Sequence, residues 1–185
     1  MRTRSGRRCP DWPGEVKAGD PKHLVLIGMM GVGKTTVGRL VAERLGRQLY
    51  DSDALIEERT GRTVREIFAS DGEDAFRALE SEVLMEALAH AEPLVIAAAG
   101  GVVLRPENRA ALRDAHARVV WLSAAPELLV ERVRSGGHRP LLDDDPEGTL
   151  QRMHEQRAAL YREVADAIVR VDGRSVGEVV DAVLR

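Results

Sequence analysis

The stretch Leu24-Val25-Leu26-Ile27-Gly28-Met29-Met30-Gly31-Val32-Gly33-Lys34-Thr35-Thr36 decides how this chain is read. Four apolar residues in a row predict a strand covered on both faces. Val37, Leu40, Val41 and Leu45 predict a helix behind the glycines, closed at Gly46. Between strand and helix runs a complete G-x-x-x-x-G-K-[ST], Gly28 to Thr35. Such glycines let backbone N–H groups turn inward around phosphate oxygens at a helix N-terminus, where the dipole favours negative charge. Gly31, Val32, Gly33, Lys34, Thr35 and Thr36 are therefore the expected nucleotide site, with Lys34 on the β- and γ-phosphates and the Thr35 hydroxyl in a Mg2+ shell. The chain has 27 basic residues and only three are lysine, so lysine at position 34 runs against its own habit.

Outward from this motif, short apolar runs alternate with segments of helical period. Gln48-Leu49-Tyr50, Leu94-Val95-Ile96-Ala97, Val119-Val120-Trp121-Leu122 and Ile168-Val169-Arg170-Val171 are further expected strands. Phe76, Leu79, Val83 and Ala87 mark a second helical stripe. Helix starts are signalled independently by Pro106, Pro126, Thr63 with Glu66, and Ser175 with Glu178. The pattern predicts an α/β fold: three layers (αβα) around a parallel five-stranded sheet, with ligands at the carboxyl ends of the strands.

Composition bounds the rest. At 185 residues, 44% apolar and 31% charged, one domain with a real core is expected and a second has little room. No apolar run reaches the length of a membrane span, and the Arg-rich start lacks a signal-peptide core, which predicts a cytoplasmic protein. One cysteine and histidines without ligand spacing argue against a protein-built metal site. Met1 to Lys22 carries six basic and three acidic residues, +3 against −6 for the remainder. With its prolines and glycines it is expected to be a disordered extension, leaving one domain over 23–185. Six dispersed aromatics make no base-stacking platform, so nucleic acid is not an expected partner.

A phosphate loop alone does not name an acceptor. Asp51-Ser52-Asp53 follows the short second strand, and residues two apart on an extended chain point the same way, so both carboxylates can face one cleft; the competing reading is a helix N-cap. Arg77 and Glu80 are helical neighbours, either a surface pair or a carboxylate clamp. Gly100-Gly101 ends the third strand, as a site of ligand approach or as a close-packed turn. Arg132, Arg134 and Arg139-Pro140-Leu141-Leu142 flank Gly136-Gly137 and Asp143-Asp144-Asp145. That segment, about 134–147, reads as a mobile lid or as a solvated loop.

Together these residues resemble shikimate kinase. The match covers about His23 to Val171: the loop with Lys34-Thr35-Thr36, Asp51-Ser52-Asp53, Ile67-Phe68 before Asp71-Gly72-Glu73, Phe76-Arg77-x-x-Glu80, Gly100-Gly101, Arg139-Pro140-Leu141-Leu142, and Arg157 ahead of Leu160-Tyr161. The resemblance implies a nucleoside-monophosphate-kinase-like P-loop fold, ATP and Mg2+, and transfer to the 3-hydroxyl of shikimate by a monomer. It implies that Asp53, Arg77, Gly100, Gly101 and Arg157 hold shikimate, that Asp51 faces Mg2+ through water, that Arg139 is the lid arginine and that Arg132 lies by adenine. Lys34, Asp53 and Arg139 are then the expected catalytic residues, and Phe68, Phe76, Pro140 and Leu141 line the acceptor pocket. Two positions depart from the family's pattern, Ala99 where glycine is usual and Ala159 where proline is. A methyl at 99 predicts either crowding of the acceptor or a positive φ that alanine resists. The competing functions are a gluconate-type or other sugar-acid kinase of the same fold, and a catalytically silent nucleotide-binding regulatory homologue.

Overall fold

The computed structural model describes residues 22–135 and 145–185. Among them five strands form one parallel sheet: β1 (His23–Ile27), β2 (Gln48–Asp51), β3 (Leu94–Ala97), β4 (Ala117–Ser123) and β5 (Ala167–Arg170), in the order β2-β3-β1-β4-β5. Each overlaps the apolar run that predicts it. The helices between are α1 (Lys34–Leu45), α2 (Ser52–Thr60), α3 (Val64–Ala89), α4 (Pro106–Asp114), α5 (Pro126–Ser135), α6 (Pro146–Val164) and α7 (Val176–Val183). Central β1 and β3 are buried along their whole length, as helices on both faces require. Edge strand β5 is not: Ile168 is 48% exposed, and Val169 carries its contact with the core.

The start and stop signals act as read. Thr63/Glu66 and Ser175/Glu178 each form a complete capping box, Pro106 opens α4, and Gly46 closes α1 in the left-handed region. The α1 stripe is turned from its expected direction. Leu40 faces solvent, and the helix buries Val37, Gly38, Val41 and Ala42. Gly38 is the reason: a Cβ there would stand 2.9 Å from the Leu49 side chain, so its absence lets α1 lie close on β2. Helix α3 breaks at Gly72 (φ 83°, ψ 175°), and its two parts enclose a second small core of Ile56, Ile67, Phe76 and Val83.

Both expected boundaries shift. Lys22, assigned by sequence to the extension, is fastened to the fold: its backbone N–H donates to His116 O at 2.8 Å and its Nζ to His90 O at 2.6 Å. The rest of that extension lies outside the described residues. The segment expected as a lid, about 134–147, overlaps helix at both ends. Helix α5 runs to Ser135, and Asp145 caps α6 by accepting from the Gly148 N–H, with Pro146 and Glu147 in its first turn. The rest of that segment, with Arg139, Pro140 and Leu141, lies outside the described residues.

His23 starts β1 at the amino end of the sheet, away from the phosphate loop. Its ring is buried, Nδ1 accepts the Leu94 N–H at 3.2 Å, and Nε2 has no hydrogen-bond partner. Burial first, then the charges of Lys22, His90 and Arg47, hold its pKa below 6.5 in the folded state. The unfolded chain therefore takes up this proton more readily. The stability this neutral ring secures is complete above about pH 6.5 and is lost as the pH falls from there through the folded value. His23→Gln keeps an acceptor for Leu94 without a titrating ring. Urea midpoints from pH 7.5 to 5 should fall more steeply for the parent than for this variant; parallel slopes would contradict the assignment.

Candidate active site

The phosphate loop leaves the carboxyl end of β1, which pairs on one side with β3 and on the other with β4. Gly28 takes φ 140°, and a Cβ there would meet Leu122 O at 2.4 Å, so only glycine passes this close to β4. Gly33 takes φ 103° and starts α1, whose first turn carries neither a side-chain cap nor an acidic residue. Its free N–H groups and dipole suit an anion. Lys34 Nζ donates to Gly28 O at 2.8 Å and Met29 O at 3.1 Å, which folds its charge over the loop. From α5, Arg132 Nη1 donates to Val32 O at 3.1 Å, joining this arginine to the loop.

The Asp51-Ser52-Asp53 reading is corrected in its geometry. Asp51 ends β2, but Ser52 already begins α2, so the two aspartates are not alternate residues of an extended chain. Asp51 is the N-cap, its Oδ1 accepting the Ala54 N–H at 3.2 Å, while its Oδ2 accepts the Thr35 hydroxyl at 2.7 Å. Cap and phosphate-side carboxylate, posed as alternatives by the sequence, are one side chain using one oxygen for each. Asp53 stands in the first turn of α2, half-buried, and its charge reaches Glu80.

Arg77 and Glu80 are no surface pair. Both are buried, and Nη1 of Arg77 donates to Glu80 Oε2 at 2.7 Å. Glu73 adds a second carboxylate, its Oε1 accepting from Nε at 3.2 Å and from Nη2 at 2.7 Å. The guanidinium lies 5.7 Å from the ring centroids of both Phe68 and Phe76. Gly101 closes the remaining side: a Cβ there would fall 1.8 Å from Nη1. Burial works against the charge on Arg77, and Glu80 and Glu73 more than offset it. Glu80 is pushed up by burial, with Asp53 adding to this while Arg77 and Arg157 pull it back.

Arg157 reaches the same place from α6. It is buried, Nη1 donates to Gly100 O at 3.3 Å, and Nε has no hydrogen-bond partner. Gly100 in turn abuts the phosphate loop, since a Cβ on it would stand 3.4 Å from both Gly28 O and Met30 N. The structure thus brings Arg77, Gly100, Gly101 and Arg157 together with Gly100 against the loop, and the charge of Asp53 reaches Glu80 of the same group. Ala99 raises no backbone conflict, because no described non-glycine residue has a positive φ, and its methyl is buried. Two participants had escaped sequence reasoning as partners. Glu73 is one turn before Arg77, and Tyr161 is one turn after Arg157, donating its hydroxyl to Gly100 O at 2.5 Å. Helical spacing was the available signal for both.

Loop and sheet place the chain among the P-loop phosphotransferases, and two buried guanidiniums meeting at Gly100-Gly101 suit an anionic group. A family model described as shikimate kinase matches residues 30–185. A shikimate kinase of Symbiobacterium thermophilum is 47% identical over 165 residues, covering 88% of this chain and 94% of that protein. One from Burkholderia lata is 45% identical, covering 91% and 92%. A solved shikimate kinase from Acinetobacter baumannii in complex with shikimate superposes with a TM-score of 0.84 at 38% identity, covering 88% of this chain and 90% of that one. The chain belongs to the shikimate kinase family and is an ATP-dependent kinase with an alcohol acceptor. A gluconokinase from Sinorhizobium meliloti shares the fold at 21% identity and a TM-score of 0.52, which does not favour the sugar-acid alternative.

The bare Cα of Gly101 gives a test. Gly101→Ala places a methyl inside the Arg77 guanidinium, and overpacking of this kind costs about 1–3 kcal/mol. Arg77 should be displaced and the acceptor KM should rise about tenfold or more with the ATP KM little changed; an unaltered acceptor KM would contradict the packing described.

Proposed function

We propose that this chain transfers the γ-phosphoryl group of ATP to the 3-hydroxyl of shikimate, giving shikimate 3-phosphate and ADP. The observation that carries the reading is the meeting of buried Arg77 and Arg157 at Gly100-Gly101, directly against the phosphate loop. Shikimate is a ring with a carboxylate at one end and hydroxyls at the other. Arginines on the carboxylate orient such a ring with a hydroxyl toward the phosphates.

In this reading Gly31, Val32, Gly33 and the N–H groups of Lys34, Thr35 and Thr36 hold the phosphates, and Arg132 lies beside the nucleotide. Lys34 turns from the loop carbonyls to the β- and γ-phosphates, where its charge counts most as negative charge shifts in the transition state. Asp53 orients the acceptor hydroxyl and takes its proton. The hydroxyl oxygen forms its bond to the γ-phosphorus as the bond from that phosphorus to the bridging oxygen breaks, and ADP leaves. Arg139, in the segment joining α5 and α6, adds positive charge at the phosphates. Magnesium fits the residues present: the Thr35 hydroxyl and Asp51 carboxylate are hard oxygen donors 2.7 Å apart, in a half-open position that leaves room for the waters this ion keeps. When bound, the ion neutralises phosphate charge. A cytoplasmic, monomeric enzyme completes the proposal; among the described residues no helix is long and apolar enough to cross a membrane.

ADP release with a panel of acceptors tests the reading. Shikimate should support rapid turnover and gluconate little; strong turnover with gluconate and none with shikimate would overturn it, as would ATP binding with no phosphorylated product. In the same assay Asp53→Asn should keep ATP binding and lower kcat by about a hundredfold or more, the usual scale for a general base. Unchanged turnover would leave Asp53 as a first-turn helix residue only.

A further inference from the structure

Tyr161 is a fully buried side chain with one polar atom, and that atom is spent on Gly100. Its hydroxyl donates to Gly100 O at 2.5 Å and touches Met29 Sδ of the phosphate loop at 3.9 Å. The ring stacks on Trp121, with centroids 5.6 Å apart, so the hydroxyl has little freedom to leave. Gly100 O is a double acceptor: the second donor is Arg157 Nη1 at 3.3 Å, from the preceding turn of the same helix. The buried Nε of Arg157 has no hydrogen-bond partner, and its guanidinium also lies close enough to the Tyr161 hydroxyl to act on it directly. The next residue, Gly101, is the wall against which the Arg77 guanidinium lies. One peptide unit therefore stands between the two arginines, and its carbonyl is directed by the Tyr161 hydroxyl.

We infer that Tyr161 is a positioning residue for the acceptor carboxylate: by fixing the Gly100 carbonyl it sets where Arg157 points and how closely Gly101 covers Arg77. The inference rests on the reading of Arg77 and Arg157 as the carboxylate site. Burial pushes the Tyr161 hydroxyl up to about 12, so it stays protonated and remains a donor across the working pH range. Without that donor, Gly100 O keeps only the longer bond from Arg157. Arg157 is then drawn toward the carbonyl and away from the substrate, and the carbonyl is free to rotate. The phosphate loop keeps its own hydrogen bonds, so the loss falls on the acceptor.

Tyr161→Phe removes the single oxygen and keeps the ring. Initial rates with shikimate and ATP varied in turn should show the shikimate KM raised about five- to tenfold, the scale of one lost buried hydrogen bond, with the ATP KM within about twofold. The shikimate affinity measured by calorimetry without nucleotide should fall by the same factor. Trp121→Phe is the control for packing alone: it loosens the support under the same ring but keeps the hydroxyl, so Tm should drop while the shikimate KM holds. An unchanged shikimate KM in Tyr161→Phe, an equal rise in both KM values, or the same shikimate defect in Trp121→Phe would overturn the inference. A parent chain that fails to turn over shikimate at all would instead sink the function proposed above, so the two failures are told apart by the parent alone.

Discussion

A guanidinium buried under protein is costly unless carboxylates or other acceptors meet it, and Arg77 is buried. Glu80, itself sealed from solvent, supplies the neutralising charge at 2.7 Å. Much of the surrounding architecture is explained by this pair. Phe68 and Phe76 flank the guanidinium, the break at Gly72 allows the two parts of α3 to bring them together, and Gly101 leaves room that any side chain would fill. Arg157 then adds a second positive charge close by, without a carboxylate bonded to it in the described structure. Arg77 is balanced by Glu80 and Glu73, so it is Arg157 that brings charge an anion can meet, beside a guanidinium already held in place.

The phosphate loop and the acceptor corner are built by different physics yet share atoms. The loop depends on backbone geometry, with glycines turning N–H groups toward one point and an uncapped helix start supplying the dipole. The corner depends on side-chain charge held away from water. They touch at Gly100, whose Cα rests on Gly28 and Met30 while its carbonyl receives Tyr161 and Arg157. This shared residue is what would hold an acceptor on the arginines next to a phosphate on the loop, as the proposed transfer requires.

What was legible in the sequence was local. The motif from Gly28 to Thr35, the five apolar runs, and both capping boxes are written in contiguous residues, and the fold follows from their order. Leu40 faces solvent because its helix is turned by a packing contact of Gly38 on Leu49 of the next element. The aspartates were placed on an extended chain because the turn into α2 happens one residue earlier than the pattern suggests, and Asp51 caps that helix while also meeting Thr35. Arg77 with Glu80 was visible as a spacing, but burial decides between a solvated pair and a clamp, and burial is a tertiary property. Tyr161 is legible as a helical neighbour of Arg157, but its bond to Gly100 is not, since that partner lies 61 positions away in sequence.

The central claim is that the guanidiniums at this corner recognise a carboxylate. Comparing kcat/KM for shikimate with that for its methyl ester tests it most directly, because the ester keeps the ring and every hydroxyl but removes the charge. A loss of about a hundredfold or more in kcat/KM, carried chiefly by KM, is the predicted result, in keeping with charge-assisted bonds to two buried arginines. Equal turnover of acid and ester would contradict the account.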